Sequence, residues 1–283
     1  MSSTAQPSTA VSSGATDLAA FFGQPLAEIT AASAAPARVH EALDALQDGA
    51  IRAATRDDAG QWHTHTWVKQ VILAAFALSV LTPDPAWPGG AIDKSLVPAR
   101  AMTLDDGVRV VPGGSSIRRG AHLHPGVVLM PPSYVNIGAS VGAGSMIDSH
   151  VLVGSCAQVG AGVHLSAAVQ LGGVLEPIGA RPVVVEDGAF IGAQCGLYEG
   201  VVVREGAVLA PAVTLTASTT IFDLVHGRTV RGEVPAGAVV VPGSRPARGS
   251  YAQEHGLALY APIIVKYRDA DTAAAVVLEE ALR

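Results

Sequence analysis

Asp148 and Arg109 carry the charged groups whose setting in the sequence suggests chemistry. Asp148 directly follows an aliphatic residue of a regular repeat, and a carboxylate in a fixed position can act as an acid or a base. The guanidinium fork of Arg109 suits a carboxylate ligand. Taken alone, each has a simpler interpretation. An aspartate at a turn is usually solvated, and Arg109 could pair on the surface with Asp105 or Asp106.

Cysteine and histidine give weaker signals. Cys156 and Cys195 have no histidine arranged beside them in a recognisable pattern, so we interpret both as small corner or core residues rather than nucleophiles. Two histidine pairs lack a third ligand or a carboxylate pattern, and we predict no metal site and no tightly bound cofactor. These pairs are His63 with His65, and His122 with His124.

The element that positions Asp148 is a six-residue repeat. An aliphatic residue occupies every sixth place, which fits neither the 3.6-residue period of a helix nor the period of two of a flat strand. The pattern slips by two residues in GGVLEPIGARP and by one after FDLVHGRTVRGE. Its aliphatic positions are 117, 123, 129, 135, 141, 147, 153, 159, 165, 171, then 185, 191, 197, 203, 209, 215, 221, then 234 and 240.

Such a repeat predicts a β-solenoid of about seven triangular coils, in which each hexad is a short strand and a corner. The aliphatic residue points inward, and the small or β-branched residue four places later fills the corner. Glycine at the corners supplies a positive φ. The two slips indicate loops that leave the coil. A residue beside an inward rung, such as Asp148, then points outward on a rigid wall.

The flanks predict other structure. ARVHEALDALQDGAIRAA, with a stop at Gly49, and TWVKQVILAAFAL have helical periodicity, and a hairpin turn is expected around Ala59–Gly60. TPDPAWPGG is interpreted as a connector, LALYAPIIVKYRD as a strand and DTAAAVVLEEALR as a closing helix. The expected layout is a flexible tail (1–16), a mainly helical N-terminal domain (17–108), the coil (109–243) and a small C-terminal strand-helix unit (244–283).

Composition excludes several classes of protein. The net charge of −6 disfavours nucleic acid and anionic membranes as partners. VILAAFALSVL is too short to span a bilayer, and the N-terminus has no secretory signal. Two cysteines give no disulfide framework, which fits a reducing compartment. We therefore expect a soluble, cytoplasmic protein.

The amino-acid sequence of the repeat resembles that of one family of hexapeptide-repeat acyltransferases. MPPSYVNIGASVGAGSMIDSHVLVGSCAQVGAGVHLS, followed by GGVLEP, VVVEDGAFIGA and VPAGAVVV, is similar to the tetrahydrodipicolinate N-succinyltransferase family, as is GAIRAATRDDAGQWHTHTWVKQVIL. The resemblance runs from about residue 40 to the end. It implies a mainly β fold built on a left-handed parallel β-helix, a homotrimer with sites between subunits, succinyl-CoA as co-substrate and an amino-dicarboxylate acceptor.

The resemblance also implies roles for individual residues. Asp148 matches the family's acidic active-site residue, and Arg109 matches an arginine that binds the acceptor. Ser155 and Gly173 match positions near the acceptor, while Lys266 is the basic candidate for the CoA by position. The implied chemistry is direct attack of the acceptor amine on the thioester.

Three departures from the family pattern leave the acceptor open. Gly196 stands where the family usually has Glu, and His150 where it usually has Trp; MPPSY also contains an extra proline. Glu199, three residues further on, is a weak candidate to replace the missing acid. Three functions remain at this point: the succinyltransferase of lysine biosynthesis through diaminopimelate, a related N-succinyltransferase acting on another amino acid in specialised metabolism, and a non-catalytic trimeric scaffold.

Overall fold

The computed structural model describes residues 13–84, 87 and 90–268. Its N-terminal part contains four helices, α1 (Ser13–Phe22), α2 (Leu26–Ala31), α3 (Ala35–Gln47) and α4 (Thr66–Leu78). Helix α3 ends just before Gly49, whose φ of +77° terminates it as predicted. Helix α1 includes the last four residues of the segment predicted as a flexible tail (1–16). The rest of that segment lies outside the described residues.

Two antiparallel hairpins accompany the helices. The strands Ala54–Arg56 and Trp62–Thr64 form the predicted hairpin around Gly60. The strands Leu81–Asp84 and Ala91–Lys94 form a second hairpin where the sequence suggested only a connector. Prolines there did not prevent pairing, because a two-stranded ribbon has unpaired edges that tolerate a missing N–H group.

The repeat folds as a three-faced prism, which confirms the predicted left-handed parallel β-helix. Each strand pairs in parallel with the strand about 18 residues away along the chain, one coil further on. The cavity face, named for the cavity described below, contains six strands: Ser116–Ile117, Tyr134–Val135, Leu152–Val153, Gln170–Leu171, Gly196–Leu197 and Thr214–Leu215. The helix-side face contains His122–Leu123, Ser140–Val141, Gln158–Val159, Val184–Val185, Val202–Val203 and Glu233–Val234.

The long face extends into the C-terminal part. Its parallel strands are Arg109–Val110, Val128–Leu129, Met146–Ile147, His164–Leu165, Phe190–Ile191, Val208–Leu209 and Ala238–Val241. It is completed by Ile263–Tyr267, antiparallel to the last of these, and by the hairpin Thr220–Asp223 and Arg228–Arg231. A short 3₁₀ turn, Leu104–Asp106, precedes the prism.

The C-terminal unit differs from the single strand that was expected. Residues 257–268 break at Pro262 into Ala258–Tyr260, which pairs with Ser244–Pro246, and Ile263–Tyr267, which pairs with the prism. A short helix, α5 (Ser250–Glu254), lies between the strands of the small hairpin. The predicted closing helix lies outside the described residues, and the domain boundaries at 108/109 and 243/244 stay predictions.

The inward positions of the repeat behave as predicted. Every aliphatic residue of the six-residue pattern is buried, and together they form one core that runs along the prism. The small or β-branched residues four places later are buried too from Ala121 to Val169 and from Ala189 to Val213. Where that residue is serine it also joins coils: Ser133 Oγ donates to the Asp148 carbonyl at 2.7 Å and accepts from the Val151 N–H at 3.2 Å.

The corners require a left-handed backbone at the third residue after the inward aliphatic. Glycine fills most of these places, but His150 (φ +63°) and Cys156 (φ +67°) also adopt this conformation. Cys156 and Cys195 are both buried in the places expected for small residues. Burial raises the pKa of the Cys156 thiol to about 12 and that of Cys195 to about 11, which leaves both protonated and poorly nucleophilic.

The N-terminal helices pack against the prism through both apolar and polar contacts. Ile137 and Cys156, from corners of the prism, belong to the same buried cluster as α3 and α4. The buried Lys69 of α4 donates to the Ala180 carbonyl at 2.5 Å, in the loop created by the first slip. The buried Glu186 accepts from Trp62 Nε1 at 2.8 Å and from Arg204 at 2.9 Å, and so fastens the first hairpin.

The close spacing of coils generates a test at Gly142. A Cβ added there would lie 2.4 Å from the Gly160 carbonyl carbon and 2.5 Å from the Ala161 nitrogen, both main-chain atoms. We expect Gly142→Ala to lower the free energy of unfolding by about 2–3 kcal/mol, because the coils must separate. Gly179→Ala is the control, since no heavy atom lies within 4 Å of its added Cβ. Equal midpoints of thermal unfolding for the two variants would contradict this packing account.

Candidate active site

Asp148 lies where the long face turns into the cavity face, directly after the fully buried Ile147. Its main chain is held from both sides, since its N–H donates to the Leu165 carbonyl at 2.9 Å and its carbonyl accepts from Ser133. The carboxylate Oδ1 accepts from the Ser149 N–H at 2.7 Å. Among the described residues, Oδ2 has no hydrogen-bond partner. A rigid backbone therefore presents a carboxylate oxygen that is open to a ligand.

Arg109 lies on the same face as Asp148. Arg109, Val128 and Met146 are in register on successive strands, so the arginine is two coils, or about 10 Å, from the strand that precedes Asp148. Its side chain is exposed and forms no ion pair with any carboxylate in the described part of the chain. Asp106 pairs instead with Arg100 and caps the turn at Thr103, so the alternative Arg109–Asp106 pair is absent.

A cavity of about 620 Å³ adjoins the Asp148 corner. The hairpin at residues 81–94 forms one wall with Trp87 and Asp93, and the cavity face forms the other with Tyr134, His150 and Gln170. Its size is within the range of pockets for small molecules. Asp93 is already paired with Arg118, so its charge is partly neutralised. The cavity thus combines aromatic surface with hydrogen-bonding groups, and one of these, His150, is two residues from Asp148 in the chain.

Ser155 and Gly173 lie together at a different corner, where the cavity face turns into the helix-side face. A Cβ on Gly173 would lie 2.9 Å from the Ser155 nitrogen, and the Val174 N–H donates to the Ser155 carbonyl at 3.2 Å. The strand Leu152–Val153 separates this corner from Asp148. Within one chain, therefore, the predicted residues form two groups, one with Asp148 and Arg109 and one with Ser155 and Gly173.

Lys266 lies at the C-terminal end of the prism, opposite Val239 in the antiparallel pair. Five strand spacings separate its strand from that of Asp148, which is roughly 24 Å along the long face. A small acceptor cannot span that distance, whereas a long extended co-substrate can. Lys266 is therefore outside the Asp148 group.

A buried carboxylate near Lys266 was not predicted from the sequence. Asp223 is completely buried and accepts from His226 Nδ1 and Tyr267 Oη at 2.9 Å each, and from Arg228 Nε at 3.2 Å. Burial opposes its ionisation, but these donors hold the pKa of Asp223 well below its usual range. The network ties the hairpin at residues 220–231 to the strand that carries Lys266. The only signal in the sequence was the second slip of the repeat.

Gly196 is covered by the ring of Tyr198. A Cβ on Gly196 would lie 2.6 Å from Tyr198 Cε2 and 2.8 Å from its Oη, and a Cβ on Gly172 would lie 2.7 Å from Cδ1. The tyrosine ring therefore lies across two glycines on successive coils. A longer side chain at position 196 requires this ring to move. Glu199 lies at an exposed corner beyond it, with φ +55°, and does not return an acid to position 196.

The histidine pairs serve local packing. His122 Nδ1 donates to the Gln47 carbonyl at 2.8 Å, His124 Nε2 faces Arg52 at 3.0 Å, and the two rings contact each other edge to face. Burial lowers the pKa of both, so they are neutral near pH 7. In residues 13–84, 87 and 90–268 no group of three or more His, Cys, Asp or Glu could hold a metal ion. Nor is any helix of that part long and apolar enough to cross a membrane.

Comparisons with known proteins find relatives that match almost the whole chain. Residues 22–78 match the family model for the N-terminal region of tetrahydrodipicolinate N-succinyltransferase, and residues 182–217 match the hexapeptide repeat of succinyltransferases. A 2,3,4,5-tetrahydropyridine-2,6-dicarboxylate N-succinyltransferase of Methylobacterium sp. is 43% identical over 265 residues, which is 91% of this chain and 94% of the relative. The enzyme of that name from Polynucleobacter asymbioticus is 47% identical and covers 87% of this chain and 88% of its own.

A solved structure adds only a weak likeness. A candidate tetrahydropyridine-2-carboxylate N-succinyltransferase from Campylobacter jejuni is 16% identical, with a TM-score of 0.47, over 84% of this chain and 63% of the other. The sequence relatives decide the relationship, because they match nearly end to end at well above 30% identity. This chain therefore belongs to the tetrahydrodipicolinate N-succinyltransferase family.

Proposed function

We propose that the protein transfers the succinyl group of succinyl-CoA to the amine of ring-opened tetrahydrodipicolinate, in the diaminopimelate route to lysine. Support comes from relatives named 2,3,4,5-tetrahydropyridine-2,6-dicarboxylate N-succinyltransferase, which match almost the whole chain. The observation that carries the chemistry is the open oxygen of Asp148 on a rigid corner, with the unpaired Arg109 on the same face. We further propose that the enzyme acts in the cytoplasm.

The roles follow from the reaction. The acceptor amine attacks the thioester carbonyl carbon, a C–N bond forms, the C–S bond breaks and the thiolate leaves with a proton that the amine gives up. Asp148 would accept a hydrogen bond from the amine, orient it, take up that proton and pass it on to the leaving thiolate. Arg109 would hold a carboxylate of the acceptor through paired hydrogen bonds. Ser155 and Gly173 would border the acceptor, and Lys266 would meet the phosphates of CoA.

A related function is favoured by two observations. Tyr198 covers Gly196, and His150 lines the cavity beside Asp148. Both alter the surroundings of the acceptor, so the same acyl transfer could serve a different amino acid in specialised metabolism. A screen of acyl-CoA donors against tetrahydrodipicolinate and other amino acids, followed by thiol release, separates these two enzymes. Absence of thiol release with every pair would leave a scaffold as the remaining function.

The role of Asp148 predicts a loss of turnover without a loss of fold. Asp148→Asn keeps the shape and the acceptor of the Ser149 hydrogen bond but removes the charge. We expect kcat to fall by about 10²–10⁴-fold, typical of a positioned acid or base, with an unchanged thermal midpoint. Asp58→Asn, at an exposed turn of the first hairpin, is the matched control and should retain full activity. Full activity of Asp148→Asn would remove Asp148 from the mechanism.

The separation of the two corners predicts a shared site. We propose a homotrimer in which Asp148 of one subunit faces Ser155 and Gly173 of the next, so that the two groups meet only across an interface. Light scattering at micromolar concentration should give three times the mass of the chain. Oligomers assembled from a mixture of Asp148→Asn and Gly173→Val chains should also recover activity that neither variant has alone. A monomer, or a mixture as inactive as its components, would contradict a shared site.

The distance of Lys266 from Asp148 predicts an effect on the donor only. Lys266→Ala should raise the KM for succinyl-CoA by about fivefold, the size of a solvent-exposed ion contact, and leave the KM for the acceptor within twofold. Arg38→Ala, on the exposed side of α3, is the control. Steady-state rates with each substrate varied in turn provide the measurement. An equal change for both substrates would show that Lys266 does not bind the CoA.

A further inference from the structure

The ring of Tyr198 forms a fixed aromatic surface on the cavity face. One side of the ring lies on the main chain of Gly172 and Gly196, at contact distances that leave no room for a Cβ on either residue. The ring is not enclosed, since 37% of the residue remains exposed although one side packs on the two glycines. The main-chain positions beneath the ring are fixed, because the Gly172 N–H donates to the Leu197 carbonyl at 2.8 Å and the Gly196 N–H to the Val213 carbonyl at 3.0 Å. One face of the ring therefore packs on the main chain, and the opposite face is accessible to a ligand.

This surface adjoins the corner proposed for the acceptor. Gly172, under one edge of the ring, is bonded directly to Gly173, and Gly173 packs on the Ser155 nitrogen. The two glycines contribute no side chain, so the ring supplies apolar surface beside that corner. An aromatic face gains free energy by covering carbon rather than a charged group that must lose its water. A ligand at Ser155 and Gly173 would therefore place carbon, not charge, over Tyr198.

We infer that Tyr198 is a specificity-determining residue, whose open ring face packs against the carbon skeleton of the amine acceptor. This inference rests on the proposed acyl-transfer function and extends it to the choice of acceptor. Gly196 acts with Tyr198, because a side chain at that position displaces the ring. Acceptors with more methylene or ring surface beside the amine should then be used better than small amines of the same charge.

Two variants test the ring by independent routes. Tyr198→Val removes the ring. Gly196→Ala keeps the ring but displaces it from its position on the main chain. Each should raise the KM for tetrahydrodipicolinate by about five- to tenfold, the value of a partly buried aromatic contact, while the KM for succinyl-CoA stays within twofold. Tyr198→Phe should keep wild-type constants, because it keeps the ring. Tyr251→Val, which removes an exposed aromatic ring from α5, and Gly179→Ala are the controls.

The same set of variants separates failure of this inference from failure of the proposed function. Steady-state rates come first, and thermal unfolding confirms that each variant is folded. If the wild type releases thiol but Tyr198→Val and Gly196→Ala leave the acceptor KM unchanged, or change both KM values equally, the inference is wrong. If the wild type releases no thiol, the proposed function fails, and calorimetric binding of tetrahydrodipicolinate then decides the inference. Weaker binding by both variants supports it, and binding that is equal or absent in all forms overturns it.

Discussion

Main-chain hydrogen bonding between successive coils is the constraint on which the rest of the structure depends. It holds neighbouring strands about 4.8 Å apart along the whole prism, a distance that no side chain can alter locally. The inward aliphatic residues therefore meet in continuous ladders, and the corners must turn within a few atoms of one another. Gly142 and Gly154 have no space for a Cβ because the next coil passes directly over them. The same rigidity holds Asp148, whose N–H and carbonyl are both bonded to adjacent coils.

This constraint explains which parts of the molecule could be predicted from sequence. Period six follows from one strand and one corner per hexad, so the buried positions from Ile117 to Val240 were readable without a structure. The corner glycines were readable for the same reason. Helix α4 was predictable from its own apolar periodicity. Each of these features depends on contacts within one segment or on the same contact made again in every coil. Such contacts produce a regular pattern in the sequence.

Other features depend on contacts between segments that no local pattern records. The hairpin at residues 81–94 forms although its sequence is rich in proline, because its two strands pair with each other and the prism lies beside them. The donors around Asp223 come from residues 226, 228 and 267, and only folding brings residue 267 to the other two.

Gly196 shows how a departure from a family pattern acquires a physical meaning. From the sequence alone, glycine at position 196 indicates only the loss of an acidic residue. In the folded chain, the space beside it is occupied by the Tyr198 ring, which rests on Gly196 and on Gly172 one coil away. The ring therefore requires glycine at position 196. Together, Gly196 and Tyr198 form an apolar surface where the family pattern has a negative charge. Because coil spacing is fixed, this change leaves the position of Asp148 unaltered, so the surroundings of the proposed acceptor can change while the carboxylate proposed to act on its amine stays in place.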